Sequence, residues 1–164
     1  MTWEGSSAAK AALDAIRARV IAAAPDVVRD GSLLLQAQQR ENATHRPGPL
    51  VRTGNLWRGI LTSPVVQTGP FTWTGGTRAT VIYSRIQERG GHIYPRRARV
   101  LAWTDGPRPT TPEGWRQAGR EGRAHYAMHV YLPPRPYFAP GIAETAPRYE
   151  ALAAKRFGAA ITGR

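Results

Sequence analysis

The stretch from Ile82 to Phe138 constrains the fold most strongly, because glycines and prolines divide it into short pieces. Gly90-Gly91 interrupts it near its start, and Pro133-Pro134-Arg135-Pro136 stops it just before Phe138. Glycine readily adopts the backbone angles that end regular structure, and proline lacks the N–H group that a continuing strand needs. Only short strands joined by loops and turns can form between these breaks.

Two segments of this stretch have the composition of strands. Arg99–Trp103 is apolar, and Ala124–Leu132 alternates, so that one of its sides carries His125, His129 and Tyr131. Between them, Thr104–Gly122 is rich in proline and glycine and predicts a loop of about 19 residues, which is longer than ordinary connections and favours a functional or interface loop. Ser84–Arg89 predicts one helical turn, ended by Gly90 in the left-handed conformation.

A β-hairpin is predicted immediately before this stretch. Phe71–Thr74 and Thr77–Tyr83 flank Gly75-Gly76. This is a signal for a two-residue turn, because glycine tolerates positive φ at both central positions. Val65-Val66 starts the strand region, and apolar residues fall on both faces of the predicted hairpin.

Helices are predicted at both ends of the chain. Residues 6–24 place apolar side chains at helical spacing, namely Leu13, Ile16, Val20 and Ala23. Pro25 interrupts this pattern and suits the first turn of a second helix, although one kinked continuous helix stays open. The run Asn42–Pro49 ends the second helix, and Thr53 is expected to cap a short turn that points Leu56 and Ile60 inward. A last helix is predicted over about 140–160, with a buried stripe formed by Tyr149, Leu152, Ala153, Arg156, Phe157 and Ala160.

This order of elements predicts an α+β fold, in which N-terminal helices and a C-terminal helix pack on a small, mostly antiparallel sheet with long loops. A chain of 164 residues suits a single domain. We predict one domain over 1–164, made of an N-terminal helical segment (1–49), the sheet and loops (50–138) and the C-terminal helix (139–164).

The formal net charge of +12 admits two interpretations. Arginines that neutralise phosphates would indicate a nucleic-acid partner. The favoured alternative is a basic composition bias on solvated faces, because the arginines are spread from Arg17 to Arg164 and form no single run. The chain contains no cysteine, which excludes disulfides, thiolate metal sites and cysteine nucleophiles. No apolar run approaches ~18 residues, so no membrane span is expected.

No catalytic or metal-binding constellation is predicted. His125 and His129 share one face of a predicted strand but would be ~13 Å apart, too far to ligate one ion. His45 and His92 fall in loops without neighbouring carboxylates, and Ser84 lacks the Gly-x-Ser-x-Gly elbow of a serine hydrolase. We therefore expect no enzyme activity, no metal and no cofactor.

The basic segment Tyr94–Arg99 also admits two interpretations. Its arginines could contact phosphates, with Tyr94 adding a stacking surface. The favoured alternative is a solvated turn or an interface loop that forms salt bridges, because one short cluster neutralises few phosphates. The prolines of Pro133–Pro136 are expected to fix the angle between the last strand and the last helix.

Four segments, in order, resemble the tail-completion proteins of tailed phages, a family of neck, minor tail and virion-morphogenesis proteins. Arg52-Thr53-Gly54-Asn55-Leu56 is similar to the family's TG-x-L segment, and Ile86–Gly91 to a passage that ends in Gly-Gly. His92–Trp103 is similar to its I-x-P-x-x-A-x-x-L-x-[FW] stretch. Pro134–Phe138, followed by a terminal helix, resembles its P-x-R-P-[FY] signature. The resemblance covers about residues 50–160, and the insert Thr104–Gly122 and the break at Pro25 depart from it.

The resemblance implies a non-enzymatic virion protein made in the bacterial cytoplasm. It would form a homo-oligomeric ring, commonly hexameric, at the head–tail junction, between the head-closure or connector protein and the tail-terminator or tail-tube proteins. Genomic DNA would pass through this ring, and no membrane is involved. The alternative from another class of function is a basic nucleic-acid-binding module.

The predicted contacts with neighbouring subunits and partners come from the segments that carry the resemblance. Ile86–Gly91, Tyr94–Arg99 and the 104–122 loop would meet neighbours, while Arg135 would anchor the exit by pairing with a carboxylate or carbonyl. The predicted interface residues are Arg52, Asn55, Gln87, Glu88, Arg89, Tyr94, Arg96, Arg97, Arg99, Arg135, Tyr137 and Phe138.

Overall fold

The computed structural model describes residues 4–49 and 53–163. Its helices are α1 (Glu4–Asn42), α2 (Asn55–Gly59), α3 (Ser84–Arg89), α4 (Pro112–Arg120) and α5 (Phe138–Thr162). Its strands are β1 (Ile60–Gly69), β2 (Thr72–Ala79), β3 (Gly91–Ile93), β4 (Leu101–Thr104), β5 (Ala124–Ala127) and β6 (Val130–Leu132).

Helices at both ends and short antiparallel strand pairs between them confirm the α+β prediction. The strands form three two-stranded sheets, β1 with β2, β3 with β6 and β4 with β5. The chain divides into two compact units, the first made of residues 1–84 and 135–164 and the second of 85–134. The organisation as a single domain stays a prediction.

The first unit is built on the pair of helices α1 and α5, which run antiparallel. Arg19, early in α1, donates from Nε to the carbonyl oxygen of Ala160, late in α5, at 2.8 Å. In the middle, Asp30 pairs with Arg156 at 2.6 Å. At the other end, Asn42 donates to the carboxylate of Glu144 at 2.7 Å.

Pro25 lies inside α1, so the expected boundary between two N-terminal helices is wrong and the continuous alternative is correct. Proline removes one intrahelical hydrogen bond and crowds the preceding turn, which weakens an isolated helix. Here α5 binds α1 on both sides of Pro25, through the Arg19–Ala160 and Asp30–Arg156 contacts. These tertiary contacts offset the local penalty.

The core of the first unit lies where the end of α1 meets the start of β1 and of α5. Ala43, Ile60 and Tyr137 are buried there, and Leu56 and Phe138 pack against them. The expected inward direction of Leu56 and Ile60 is thus confirmed. Gly54, with φ 74°, takes the N-cap position of α2, and the hydroxyl of Thr53 accepts a hydrogen bond from the backbone N–H of Asn55 at 3.5 Å.

The β1–β2 hairpin exists, but its predicted turn is wrong. Gly69 pairs with Thr72, so the chain reverses at Pro70-Phe71, whereas Gly75 and Gly76 lie inside β2. A Cβ atom on Gly75 would lie 2.7 Å from Cγ1 of Val28 and 3.0 Å from Oγ of Ser32, both on α1. This glycine therefore serves close packing of a strand on a helix, and Pro70 takes a turn position that suits its fixed φ.

Polar side chains near the end of α1 bind the rest of the first unit. Gln39 is fully buried, and its amide donates to the carbonyl oxygen of Phe138 and accepts from the hydroxyl of Thr77, at 3.2 and 2.6 Å. Gln36 and Arg40 both donate to the carbonyl oxygen of Ile60, at 2.8 and 3.0 Å. The amphipathic pattern concealed this role, because glutamine and arginine usually mark a solvated helix face.

The second unit consists of two nested strand pairs. The inner pair is β4 with β5, the outer pair is β3 with β6, and both are antiparallel. The predicted single strand over 124–132 is therefore wrong, because the chain leaves one pair after Ala127 and enters the other at Val130. Gly90 follows α3 with φ 68°, and its N–H donates to the carbonyl of Ile86 at 2.9 Å, which confirms the predicted left-handed cap.

The predicted loop over 104–122 contains a helix instead, α4. Thr111 caps it by accepting a hydrogen bond from the backbone N–H of Gly114 at 3.1 Å. Pro112 and Glu113 follow, and both residue types favour a first helical turn, by a fixed φ and by a negative charge near the helix dipole. The abundance of glycine and proline predicts a loop, but these three residues together favour the start of a helix.

We expect Thr111→Ala to lower the free energy of unfolding of the protein by about 1 kcal/mol, because it removes the cap of α4. Chemical denaturation followed by circular dichroism measures this change. Thr110→Ala is the matched control, since Thr110 is exposed and outside the helix. Equal midpoints for the two variants would contradict this role of Thr111.

Candidate functional site

The closest approach to a catalytic arrangement is a carboxylate–imidazole pair in the second unit. Nε2 of His125 lies 2.6 Å from Oδ2 of Asp105, and the imidazole stacks on Trp103 with ring centroids 5.5 Å apart. The backbone N–H of Asp105 also donates to the carbonyl of Arg123 at 3.0 Å. These contacts fix the end of the β4–β5 pair, and the absence of enzyme activity stays a prediction.

Further ionic contacts of the second unit lie on and beside α4. Arg116 pairs with Glu113 at 2.6 Å. Glu121 accepts from Nε2 of Gln117 at 2.7 Å and also pairs with Arg123, and these two contacts hold the pKa of its carboxyl below its usual value. Among residues 4–49 and 53–163, no group of three or more His, Asp or Glu side chains is placed to hold a metal ion.

The predicted interface residues divide between the two units. In the first unit, Asn55 is exposed and accepts from Arg58 at 2.8 Å, while Arg135 and Phe138 are half-buried. Tyr137 is only 1% exposed, so its side chain belongs to the core of this unit and not to its surface. Arg52 lies outside the described residues.

The other predicted residues lie in the second unit. On α3, Gln87 and Glu88 are half-buried and Arg89 is exposed, and Oε1 of Gln87 has no hydrogen-bond partner in the part of the chain that the structure describes. Tyr94, Arg96, Arg97 and Arg99 follow β3 and are all exposed. The structure thus brings Tyr94 and the three arginines together on one loop.

Four aromatic rings cover one face of the β3–β6 pair, and we call them the aromatic cluster: His92, Tyr94, His129 and Tyr131. His92 lies opposite Tyr131 in the strand register, with ring centroids 5.1 Å apart. The other centroid distances are 5.5 Å between His92 and His129, 5.8 Å between Tyr94 and His129, and 6.1 Å between His92 and Tyr94. All four side chains are exposed.

A basic loop, Pro95–Arg99, continues directly from the aromatic cluster. It lies outside helices and strands, and its arginines are Arg96, Arg97 and Arg99. No ion pair joins these guanidinium groups to another described residue. Three other carboxylates of the second unit, those of Asp105, Glu113 and Glu121, contact His125, Arg116 and Arg123.

The sequence contains a pattern that indicates the aromatic cluster, although composition alone does not reveal it. His92-Ile93-Tyr94 and His129-Val130-Tyr131 are two copies of a His-x-Tyr pattern. Alternate residues of a strand share a face, so antiparallel pairing of the two copies places each histidine beside a tyrosine. The sequence predicts that His125 and His129 lie ~13 Å apart, too far to ligate one ion. In the structure the ring of His129 lies beside the ring of His92.

The first unit holds a cavity of about 380 Å³ between α1, β2 and α5. It is lined by Val28, Gly31, Ser32, Leu35, Trp73, Thr74, Gly75, Gly76, Ile142, Thr145, Ala146 and Tyr149. The hydroxyls of Ser32 and Thr145 already donate to the carbonyls of Val28 and Gly141, at 2.8 and 2.6 Å. The cavity is thus a mainly apolar space between packed elements.

Large apolar side chains are exposed on both units. On the first unit, Ile82 is 92% exposed and Phe71 at the hairpin tip is 58% exposed. On the second unit, exposed large apolar side chains include Trp103, Tyr126 and Met128. Buried apolar residues are few by comparison, namely Val27, Ala43, Ile60, Ala118 and Tyr137 among those described.

Within the described residues, no helix combines the length and apolar character needed to cross a membrane. Comparison of the chain with protein-family models, with curated proteins and with solved structures finds no match.

Proposed function

We propose that this chain is a structural protein of a tailed-phage virion, a head–tail joining subunit that forms a ring between the head connector and the tail. The observation that carries the proposal is the amount of large apolar surface that each unit leaves exposed. Full burial of one Val, Leu, Ile or Phe side chain stabilises by ~1.5–3 kcal/mol. A chain that leaves many of them exposed therefore gains most of this energy only by assembling with other chains.

The unpaired strand edges support the same proposal. Every strand that the structure describes belongs to a two-stranded sheet, so each has one edge whose N–H and C=O groups lack a neighbouring strand. Such edges allow a strand of another chain to be added by backbone hydrogen bonds. Head-to-tail contacts of this kind close into a ring when the rotation between subunits allows it.

The first half of α1 offers a further surface. Side chains 7 to 15 are all exposed, and among them is Leu13, at 66%. Leu13 belongs to the apolar stripe that the sequence predicts over residues 6–24, and within the described residues nothing buries its side chain. In a ring, the neighbouring subunit would bury it.

The proposal assigns the chain a mechanical role. The exposed apolar residues and free strand edges hold neighbouring subunits together, and the exposed arginines of the second unit meet acidic partners or the DNA that passes through the ring. The head-closure or connector protein would lie on one side and the tail-terminator or tail-tube proteins on the other.

The decisive experiment is to disrupt the gene in a phage that encodes this chain and to image the particles by electron microscopy. We expect DNA-filled heads and separate tails to accumulate, and a plasmid copy of the gene to restore joined particles. Joined, infectious particles in the absence of the protein would contradict the proposal.

The same proposal predicts the effect of Ile82→Asp, which adds a charge to the most exposed apolar side chain of the first unit. We expect Ile82→Asp to weaken both ring formation and binding to isolated filled heads at least tenfold, because an interface would bury that charge. Sedimentation and mass measurement in solution, with and without heads, follow both steps.

Ala154→Asp is the matched control, since it adds the same charge at an exposed position of α5. Monomers are expected for Ile82→Asp under conditions where the wild type and Ala154→Asp assemble. If Ile82→Asp assembles and binds heads as well as the wild type, Ile82 is not part of the interface.

A further inference from the structure

We propose that the second unit binds single-stranded nucleic acid, with bases stacked on the aromatic cluster and phosphates contacted by the basic loop. This inference does not depend on the virion role. It assigns a ligand class to the surface on which the exposed rings of the aromatic cluster and the unpaired arginines of the basic loop occur side by side.

The aromatic cluster presents four exposed rings that are tilted to one another by 30–53°, so that each ring offers its own surface to a base. His92 faces Tyr131 across the strand pair, and Tyr94 and His129 follow them on the same face by the two-residue period of the strands. Tyr94 is 63% exposed and Tyr131 is 56% exposed, so their rings are not consumed by packing within the unit. Exposed aromatic rings accept bases of any sequence, because every base has a π face.

The basic loop supplies the charge that a nucleic-acid backbone requires. Arg96 lies two residues beyond Tyr94, so the Cα atoms of these residues are no more than about 7 Å apart. Neither it nor Arg97 and Arg99 forms an ion pair within the described part of the chain. Because the carboxylates of Glu113 and Glu121 pair with Arg116 and Arg123, these two groups oppose a polyanion only weakly.

The combination favours an unpaired strand over a duplex. In a duplex the bases are already stacked on one another, so exposed tyrosine and histidine rings gain nothing from them, and only the arginines would bind. In a single strand the bases are free to stack on side chains while the phosphates remain accessible. The surface therefore discriminates between the two forms through its rings.

The first test measures binding of the full chain to a fluorescently labelled oligothymidylate of about 12 nucleotides by anisotropy, against a duplex of equal length. We expect tighter binding of the single strand. We further expect Tyr94→Ala and Tyr131→Ala each to weaken that binding roughly 5- to 150-fold, while duplex binding changes less than twofold.

Tyr126→Ala is the matched control, because Tyr126 lies on the same unit, is 57% exposed and is outside the aromatic cluster. Tyr94→Phe retains a ring and is expected to bind as the wild type does. Circular dichroism and denaturation midpoints show that each variant is folded. Equal affinity for single strand and duplex, or equal losses in Tyr126→Ala and Tyr131→Ala, would overturn the proposal, as would the absence of binding.

The second test separates the arginines from the rings by salt dependence. Each of Arg96→Gln, Arg97→Gln and Arg99→Gln is expected to reduce the slope of log affinity against log salt by up to about 0.7, because one phosphate contact is lost. Tyr131→Ala should lower the affinity without changing the slope. Arg116→Gln, whose guanidinium pairs with Glu113, should leave the slope unchanged. An unchanged slope in all three basic-loop variants would overturn the role of that loop.

Discussion

Tyr137→Ala is expected to lower the free energy of unfolding by about 3–5 kcal/mol, the range seen when a large buried aromatic side chain is removed. Tyr137 is 1% exposed and is the largest side chain buried completely in the described residues. It packs with Ala43 and Ile60, and its ring meets that of Phe138 edge to face at 6.0 Å. Removing it would leave a cavity where the end of α1, the start of β1 and the start of α5 meet.

Thermal and denaturant unfolding measure this loss, and Tyr126→Ala provides the comparison. Tyr126 is 57% exposed, so its truncation should change the unfolding free energy by less than about 0.5 kcal/mol. The sequence placed Tyr137 among interface residues. A loss of assembly in Tyr137→Ala with unchanged stability would support that placement, whereas a large loss of stability assigns the residue to the core.

Gly31→Leu is expected to lower the free energy of unfolding by about 3 kcal/mol or more, because α1 and α5 meet too closely at this residue for any side chain. A Cβ atom on Gly31 would lie 2.3 and 2.4 Å from ring carbons of Tyr149. Leucine has a higher helix propensity than glycine, so this difference in propensity alone would stabilise α1 by ~1 kcal/mol. Any net loss of unfolding free energy therefore comes from disturbed packing between α1 and α5.

Gly158→Leu is the matched control on the partner helix. Gly158 also lies inside a helix, and a Cβ atom there would meet nothing within 4 Å. We expect this variant to gain up to ~1 kcal/mol, as the helix propensities predict. Changes of opposite sign in the two variants, read from denaturation midpoints, would establish the close contact. Equal gains would show that Tyr149 moves away without cost.

Glycine has two uses in this chain. The sequence predicts a turn at Gly75-Gly76, whereas Gly75 allows α1 to approach β2 closely, and Gly31 likewise allows α1 to approach α5. One glycine permits a positive φ and another leaves room for a close neighbour, and the sequence alone does not distinguish these two roles. Only the residue that approaches it, here Val28 or Tyr149, separates the two uses.

The buried polar residues and the aromatic cluster likewise depend on contacts between residues that are distant in sequence. Gln39 is the most buried polar residue of the first unit because Phe138 and Thr77, both distant in sequence, complete its hydrogen bonds. The aromatic cluster depends on the pairing of β3 with β6, whereas the sequence predicts β5 and β6 as one strand. The basic loop is evident from the sequence because its three arginines lie within four residues.

The features that depend on a few neighbouring residues can be predicted from the sequence alone. These are the α+β class, the terminal helices, the turn at α3 with its Gly90 cap and the basic loop. The tertiary structure alone decided that α1 runs unbroken through Pro25, that Gly31 and Gly75 serve packing and that the His-x-Tyr copies share one face. Backbone preferences and charge act over about one turn of chain, whereas these outcomes are set by contacts between residues as far apart as Gly31 and Tyr149.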